Sequence, residues 1–256
     1  MLTHKVNTGF FLAVLIFLAA YSFYQPLAWW VLIIPVLLWL TIAVIGSGLV
    51  QSGYHIKTYN RIQTTDKKIA VTFDDGPTPS TEKVLELLKK YNVKATFFCI
   101  GKQIEKHPDI LQKIINEGHT VGNHTYNHLP QMNFFSTDKI LTELKSTDAL
   151  IQHYILKPLL FRPPYGVTNP RLARALKTTG HYVVGWNIRS LDAVIEDENK
   201  IFNRIATRLA PGSIILLHDT SQKTVNVLEQ LLILLQQQHY EAVTVNQLLN
   251  IPAYEK

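Results

Sequence analysis

Two adjacent carboxylates, Asp74 and Asp75, end an apolar run rich in β-formers (residues 69–73) and stand directly before Gly76-Pro77. A buried strand there delivers both acids to its C-terminal tip, the end at which active sites collect in parallel barrels and open sheets. Asp-Asp-Gly-Pro is also the composition of a plain turn, so the pair gains meaning only from its company. His124 and His128 are spaced i and i+4, which on a helical turn places two imidazoles on one face, as two ligands of one metal ion require. One Asp with two His makes a three-ligand set that leaves positions open for water and substrate. Arg162, held by Pro163 and Pro164, is stiffly placed to pair with a carboxylate at the mouth, or simply to brace a loop. His218 ends another apolar run at the same rim and suits a general acid, with Asp192 as the acid that orients it. His107, His153 and His239 lie in helical or polar contexts and read as surface residues, and Cys99, the single cysteine, reads as a small core residue.

The elements that position these groups alternate in type. Strand-like runs at residues 69–73, 95–100, 119–121, 159–161, 181–186, 213–217 and 241–245 are separated by helical patterns at 81–91, 108–117, 138–154, 170–179, 199–209 and 224–238. Pro170 after Asn169 marks a helix start, and Gly118 and Gly180 mark helix stops. Such alternation implies an α/β fold with a parallel sheet. About seven strands in about 180 residues is short for an eight-fold barrel of nearer 250, so a reduced, distorted (β/α) barrel is expected.

In order along the chain, Thr72-Phe-Asp-Asp-Gly76, His124-Thr-x-x-His128, Arg162-Pro-Pro-Tyr-Gly166, Leu191-Asp192 and Leu216-Leu-His218 resemble the five motifs of the polysaccharide deacetylases, carbohydrate esterase family four or NodB-homology domain. The resemblance covers roughly residues 67–249 and implies a distorted barrel of about seven strands, in agreement with the count above. It also implies roles. Asp75, His124 and His128 would bind one divalent metal ion, most often zinc, and Asp74 would be the general base tuned by Arg162. His218 would be the general acid, charged and held by Asp192. The Tyr165 N–H would bind the oxyanion and Leu216 would line the acetyl pocket. The implied reaction is metal-dependent removal of N-acetyl from an amino sugar, releasing acetate.

The fourth motif departs from the family pattern Asp-x-x-Asp-Trp. Here it reads Arg189-Ser-Leu-Asp-Ala193, keeping the second acid but replacing the first with Arg189 and the tryptophan with Ala193. A more open and more positive site suits a phosphate-bearing substrate such as a lipid-linked sugar. Alternatively, Arg189 pairs with a nearby acid and another residue fills the place of the tryptophan.

Ahead of this domain, no residue from 8 to 50 is charged. As one helix that run would measure roughly 65 Å, about twice the hydrocarbon thickness, so two transmembrane helices (about 8–24 and 27–47) hinged at Gln25-Pro26 fit better. A cleaved signal peptide competes for the first block, but the longer second block argues against it. The expected organisation is a membrane anchor at 1–51, a polar linker at 52–66, the deacetylase-like domain at 67–250 and a tail at 251–256. Lys5 on one flank and Lys57, Arg61, Lys67 and Lys68 on the other lean towards a cytoplasmic domain by the positive-inside rule. The net charge of +6, from 25 basic and 19 acidic residues, fits contact with anionic lipid or substrate. No dense basic run or recognition motif supports nucleic-acid binding. The partners expected are therefore an N-acetylated glycan or lipid-linked sugar and membrane lipid; no feature read here sets the oligomeric state. Removal of formyl or O-acetyl groups uses the same site chemistry. A silent glycan-binding protein and a metal-dependent phosphoesterase fit less well, the first because all five chemical positions are intact, the second because no second metal set is evident.

Overall fold

The computed structural model describes residues 3–255; Met1, Leu2 and Lys256, the outermost residues of the expected anchor and tail, lie outside the described residues. Two helices open the chain, α1 (His4–Tyr21) and α2 (Trp30–Gly48), both long and apolar enough to cross a membrane by length and composition. Each is roughly 27–29 Å long. They pack on each other, with Trp39 Nε1 donating to Thr8 Oγ1 at 3.1 Å, and leave Phe10, Phe17, Leu37 and Val44 exposed.

The rest of the chain runs β1 (Thr58–Tyr59), β2 (Lys68–Asp74), α3 (Pro79–Lys90), β3 (Thr96–Cys99), α4 (Gly101–Lys106), α5 (Pro108–Asn116), β4 (Thr120–Asn123) and α6 (Thr137–Gln152). It continues through β5 (Leu160–Phe161), α7 (Pro170–Thr179), β6 (Tyr182–Val184), β7 (Ile188–Arg189), α8 (Glu198–Ala206), β8 (Ile214–His218), α9 (Gln222–Gln237), β9 (Glu241–Ala242) and α10 (Val245–Leu249). Local chemistry explains the helix ends. Asn169 caps α7 by accepting from Arg171 and Leu172 N–H, Pro170 fills its first turn, and Gly180 leaves it at φ 77°. A Thr78–Thr81 capping box starts α3, and Val84, Leu85 and Leu88 bury its inner stripe.

All strand pairs are parallel, in the order β1-β6-β5-β4-β3-β2-β8-β7, with β9 paired only to the start of β2. β6 pairs with β5 whereas β7 pairs with β8, so the single stretch Tyr182–Arg189 bridges the two sides and curls the sheet into a distorted (β/α) barrel. Asn187 staples the break between them: its Oδ1 accepts from Ile214 N–H at 2.7 Å and its Nδ2 donates to Ser213 Oγ at 3.1 Å. Strand parity builds two cores. Ile69, Val71 and Phe73 pack outward under the helices with Ile215 and Leu217, while Ala70, Ile214 and Leu216 join Phe98, Phe161 and Trp186 inside the barrel.

Two details differ from the sequence reading. Residues 241–245, expected as a seventh strand, form only the two-residue β9 before Val245 enters α10, while the short β1 and β7 are additional. The stretch 52–66, expected as a linker, carries β1 and the buried Tyr54. Tyr54 ties the hairpin to the barrel, because its hydroxyl accepts from Asn7 Nδ2 at 2.7 Å and its carbonyl from His4 N–H at 2.8 Å. On the other helix, Ser47 accepts through its carbonyl from Thr168 N–H at 2.9 Å.

Candidate active site

Register decides which side chains meet at the mouth. β2 and β8 are neighbours with Asp74 opposite His218, and both are the last residues of strands whose inward positions they continue. One cavity of about 220 Å³ gathers Asp74, Asp75, His124, His128, Tyr165 and Arg189, together with Leu216 and His218. Arg162 and Asp192 do not line it; they lie directly behind Asp74 and His218 and are wholly buried.

Asp75 Oδ1, His124 Nε2 and His128 Nε2 converge. The carboxylate oxygen lies 3.5 Å from the first imidazole and 3.4 Å from the second, yet it is buried and accepts no hydrogen bond. Such an orphaned acceptor facing two imidazole nitrogens fits one shared cation. The Arg162 carbonyl lies 2.7 Å from His124 Nδ1 and takes its N–H, which turns Nε2 towards the cluster. Burial and the neighbouring His124 hold the His128 pKa down at about 4, leaving a neutral imidazole with a free lone pair. Against burial, Asp74 and Asp75 raise that of His124, and against burial His124 and His128 hold Asp75 well below the usual carboxylate range. The cluster therefore favours positive charge at its centre, a preference that a divalent ion satisfies.

The i, i+4 histidines do not sit on a helical turn, as their spacing suggests. They lie on a bent loop after β4, with His128 at φ 53° and ring centroids 4.8 Å apart. Side chains capture the loop's amides instead: Asn123 Oδ1 accepts from Thr125 N–H at 2.8 Å, and Glu143 Oε2 from Tyr126 and Asn127 N–H at 3.2 and 2.8 Å. Among the described residues, five of the eight non-glycine residues with positive φ, namely Asp75, Thr125, His128, Tyr165 and Leu191, stand on loops around this cavity. Backbone of this kind costs roughly 1–3 kcal/mol per residue and persists only where neighbours over-determine it, which marks these loops as built to aim side chains.

Behind Asp74, the guanidinium of Arg162 donates from Nη1 to Asp74 Oδ1 at 2.8 Å and to Thr72 Oγ1 at 2.7 Å, and from Nη2 to the Gly185 carbonyl at 2.9 Å. Behind His218, Asp192 Oδ1 lies 2.8 Å from Nδ1, while its Oδ2 accepts from His218 N–H at 2.7 Å and Thr224 Oγ1 at 2.8 Å. Against burial, Asp192 raises the His218 pKa to about 9, so the imidazole is protonated at neutral pH.

Sequence reasoning missed several participants. Trp186 and Val194 line the cavity together with Leu191 and Ala193 of the fourth motif. The place of Trp186 at the end of an expected strand was the available signal. Arg189 is exposed and makes no ion pair among the described residues; its guanidinium carbon lies 5.9 Å from the Trp186 ring. Asp219, the residue after His218, is buried against Gly76, where any Cβ would collide with its carboxylate. Thr81 Oγ1 donates to it, and burial raises its pKa to about 7. This contact dictates glycine in the turn that follows Asp75.

Comparison with known proteins agrees with this geometry. A family model described as polysaccharide deacetylase matches residues 61–184. Over 194 residues the chain is 36% identical to a peptidoglycan-N-acetylglucosamine deacetylase of Bacillus cereus, covering 73% of this chain and 91% of that protein. Over 189 residues it is 33% identical to the peptidoglycan-N-acetylmuramic acid deacetylase PdaC of Bacillus subtilis, covering 73% of this chain but spanning only 40% of that longer relative. A crystal structure of a peptidoglycan N-acetylglucosamine deacetylase bound to a naphthyl N-hydroxybenzamide is similar with TM-score 0.73 and 30% identity, covering 77% of this chain and 95% of that one.

Proposed function

The chain belongs to the polysaccharide deacetylase family of hydrolases, and we propose that it removes N-acetyl from an amino sugar of the cell envelope, releasing acetate with one divalent metal ion, zinc foremost. The observation that carries this reading is the convergence of Asp75, His124 and His128 beside an acid and an imidazole held for opposite tasks. The two relatives act on different sugars, glucosamine and muramic acid, so the substrate class is proposed here and not the individual sugar.

An ion on Asp75, His124 and His128 would supply an acidified water and positive charge for the developing oxyanion. Asp74 gives one oxygen to Arg162 and keeps Oδ2 free, 3.8 Å from His124 Nε2, to take the proton of the attacking water. His218, with Nδ1 committed to Asp192, offers its protonated Nε2 to the leaving nitrogen, without which an amine departs poorly. The Tyr165 N–H, on a residue at φ 59°, is the candidate donor to the oxyanion, and Leu216 with Trp186 forms the apolar wall for the acetyl methyl. The test is acetate release from acetylated glycans with chelation and zinc restoration; absence of chelator-sensitive release from every substrate refutes the reading.

One observation favours a membrane-held, anionic substrate. A second cavity of about 190 Å³ adjoins the first through Tyr165, Trp186 and Arg189 and runs to the end of α2, where Arg208 and residues 48–51 complete it. A lipid-linked sugar phosphate fits Arg189 and Arg208, two guanidiniums that make no ion pair among the described residues, beside an apolar helix long enough to span a membrane. If so, Arg189→Ala lowers turnover of a phosphorylated substrate about tenfold while sparing its neutral analogue; equal rates on both exclude this variant. Both readings take α1 and α2 as a membrane-spanning hairpin. Because Cys99 is buried, an engineered surface cysteine labelled from one side only reports insertion and which side the domain occupies.

A further inference from the structure

A cleft of about 610 Å³ opens at the foot of the hairpin, away from the catalytic residues. Its walls come from three segments: the start of α1 (Thr3, His4, Lys5), the chain leaving α2 (residues 53–57) and the outer face of α7. Lys5, Lys57, Arg174 and Lys177 line it, no carboxylate does, and none of the four makes an ion pair among the described residues. Their remaining contacts are weak, such as Lys57 over the Tyr59 ring at 4.7 Å and Arg174 Nε to Thr137 Oγ1 at 3.4 Å. Four like charges drawn around one concavity repel one another, and an anion in the middle reverses the sign of that interaction.

Two histidines add donors. The His4 and His55 rings lie 4.9 Å apart, and the buried Nδ1 of His4 has no hydrogen-bond partner. Burial, then His4, lowers the His55 pKa to about 4, so that ring is neutral at physiological pH, while Lys5, Lys57, Arg174 and Lys177 carry four fixed positive charges.

We propose that this cleft binds the phosphate of an anionic phospholipid headgroup and so fixes the barrel against the bilayer. The proposal rests on the reading of α1 and α2 as membrane spans. Its source is argued from position. Two of the three walls are the chain immediately flanking the spans, which puts the cleft at headgroup depth, and the neighbouring Val6 and Phe10 are exposed where acyl chains would run. Juxtamembrane cations gain about 1 kcal/mol each near an anionic lipid surface, and a cleft concentrates them on one headgroup.

The full chain reconstituted in phosphatidylcholine nanodiscs, with and without phosphatidylglycerol, tests this. The expected result is a higher Tm and enrichment of co-purified phosphatidylglycerol. Arg174→Gln with Lys177→Gln should weaken the apparent affinity about 10-fold or more. Lys89→Gln with Lys106→Gln, which removes equal charge outside the cleft, should leave it unchanged. Equal loss in both double variants, or no preference for phosphatidylglycerol, overturns the proposal in favour of diffuse charge or no site. Inorganic phosphate raising Tm in phosphatidylcholine as much as the lipid does overturns the lipid source. Failure to insert into phosphatidylcholine overturns the hairpin reading and this proposal with it, whereas insertion without selectivity overturns the proposal alone.

Discussion

Arg162 with Asp74 and His218 with Asp192 are two cation–carboxylate pairs built in opposite senses. In the first the carboxylate faces the mouth and a wholly buried cation stands behind it; in the second the cation faces the mouth and a wholly buried carboxylate stands behind. Whichever partner is presented outward sets the task. Arg162 takes one oxygen of Asp74 and leaves the other facing the mouth for the proposed base, while Asp192 behind the imidazole keeps His218 charged for the proposed acid. On the proposed roles, the direction of burial, more than residue type, would separate base from acid in one cavity.

The comparison breaks most severely at the metal set. Asp75→Ala should abolish metal binding and turnover together, whereas Asp74→Asn should retain the metal and lose roughly 10²–10⁴-fold in kcat. Metal content by elemental analysis beside acetate release decides it, and equal metal loss in both variants would remove the division of labour between the two acids.

Removing the buried cation tests the first pair as a structural unit. Arg162→Met strands Asp74 and the Val184 and Gly185 carbonyls, and should destabilise by about 3–5 kcal/mol, read as a lowered denaturation midpoint. An unchanged midpoint would mean that Asp74 finds another partner. The second pair tolerates more, since His218 remains partly exposed.

There the pH profile is the sharper instrument. The proposed general acid is protonated His218, whose pKa Asp192 raises, against burial, to about 9 before any ion offsets the Asp75 charge, so activity should fall on the alkaline side, at or below about pH 9. Asp192→Asn withdraws the charge that holds the proton, moving this alkaline limb to lower pH, with a loss of about 10–100-fold at neutrality. A limb that stays in place would assign it to another group.

Much of the barrel is legible in the sequence because parity and punctuation agree. Apolar runs mark β2, β3, β4 and β8, and Pro170 and Gly180 bracket α7 to the residue. What escapes depends on partners distant in the chain. Nothing local announces that Glu143 captures the amides of Tyr126 and Asn127, so the histidine spacing suggests a helical turn where a bent loop exists. Strands of two residues such as β1 and β7 carry no periodicity at all. The chemical residues were visible as types in order, but the layering of Arg162 and Asp192 behind Asp74 and His218 appears only when the strands are in register.

Val50, just past the end of α2, is 1% exposed and packs inside the barrel beside Gly166, Gly185 and Trp186, while Gln51 Nε2 donates to the Trp186 carbonyl at 3.0 Å. The boundary between the two apolar helices and the barrel therefore does not coincide with the end of the apolar sequence. A chain cut at residue 67 to free a soluble enzyme would lose a plug from the wall that carries Trp186 and would expose the two glycines that this plug fits. The smallest unit that keeps its own mouth intact begins at about residue 49.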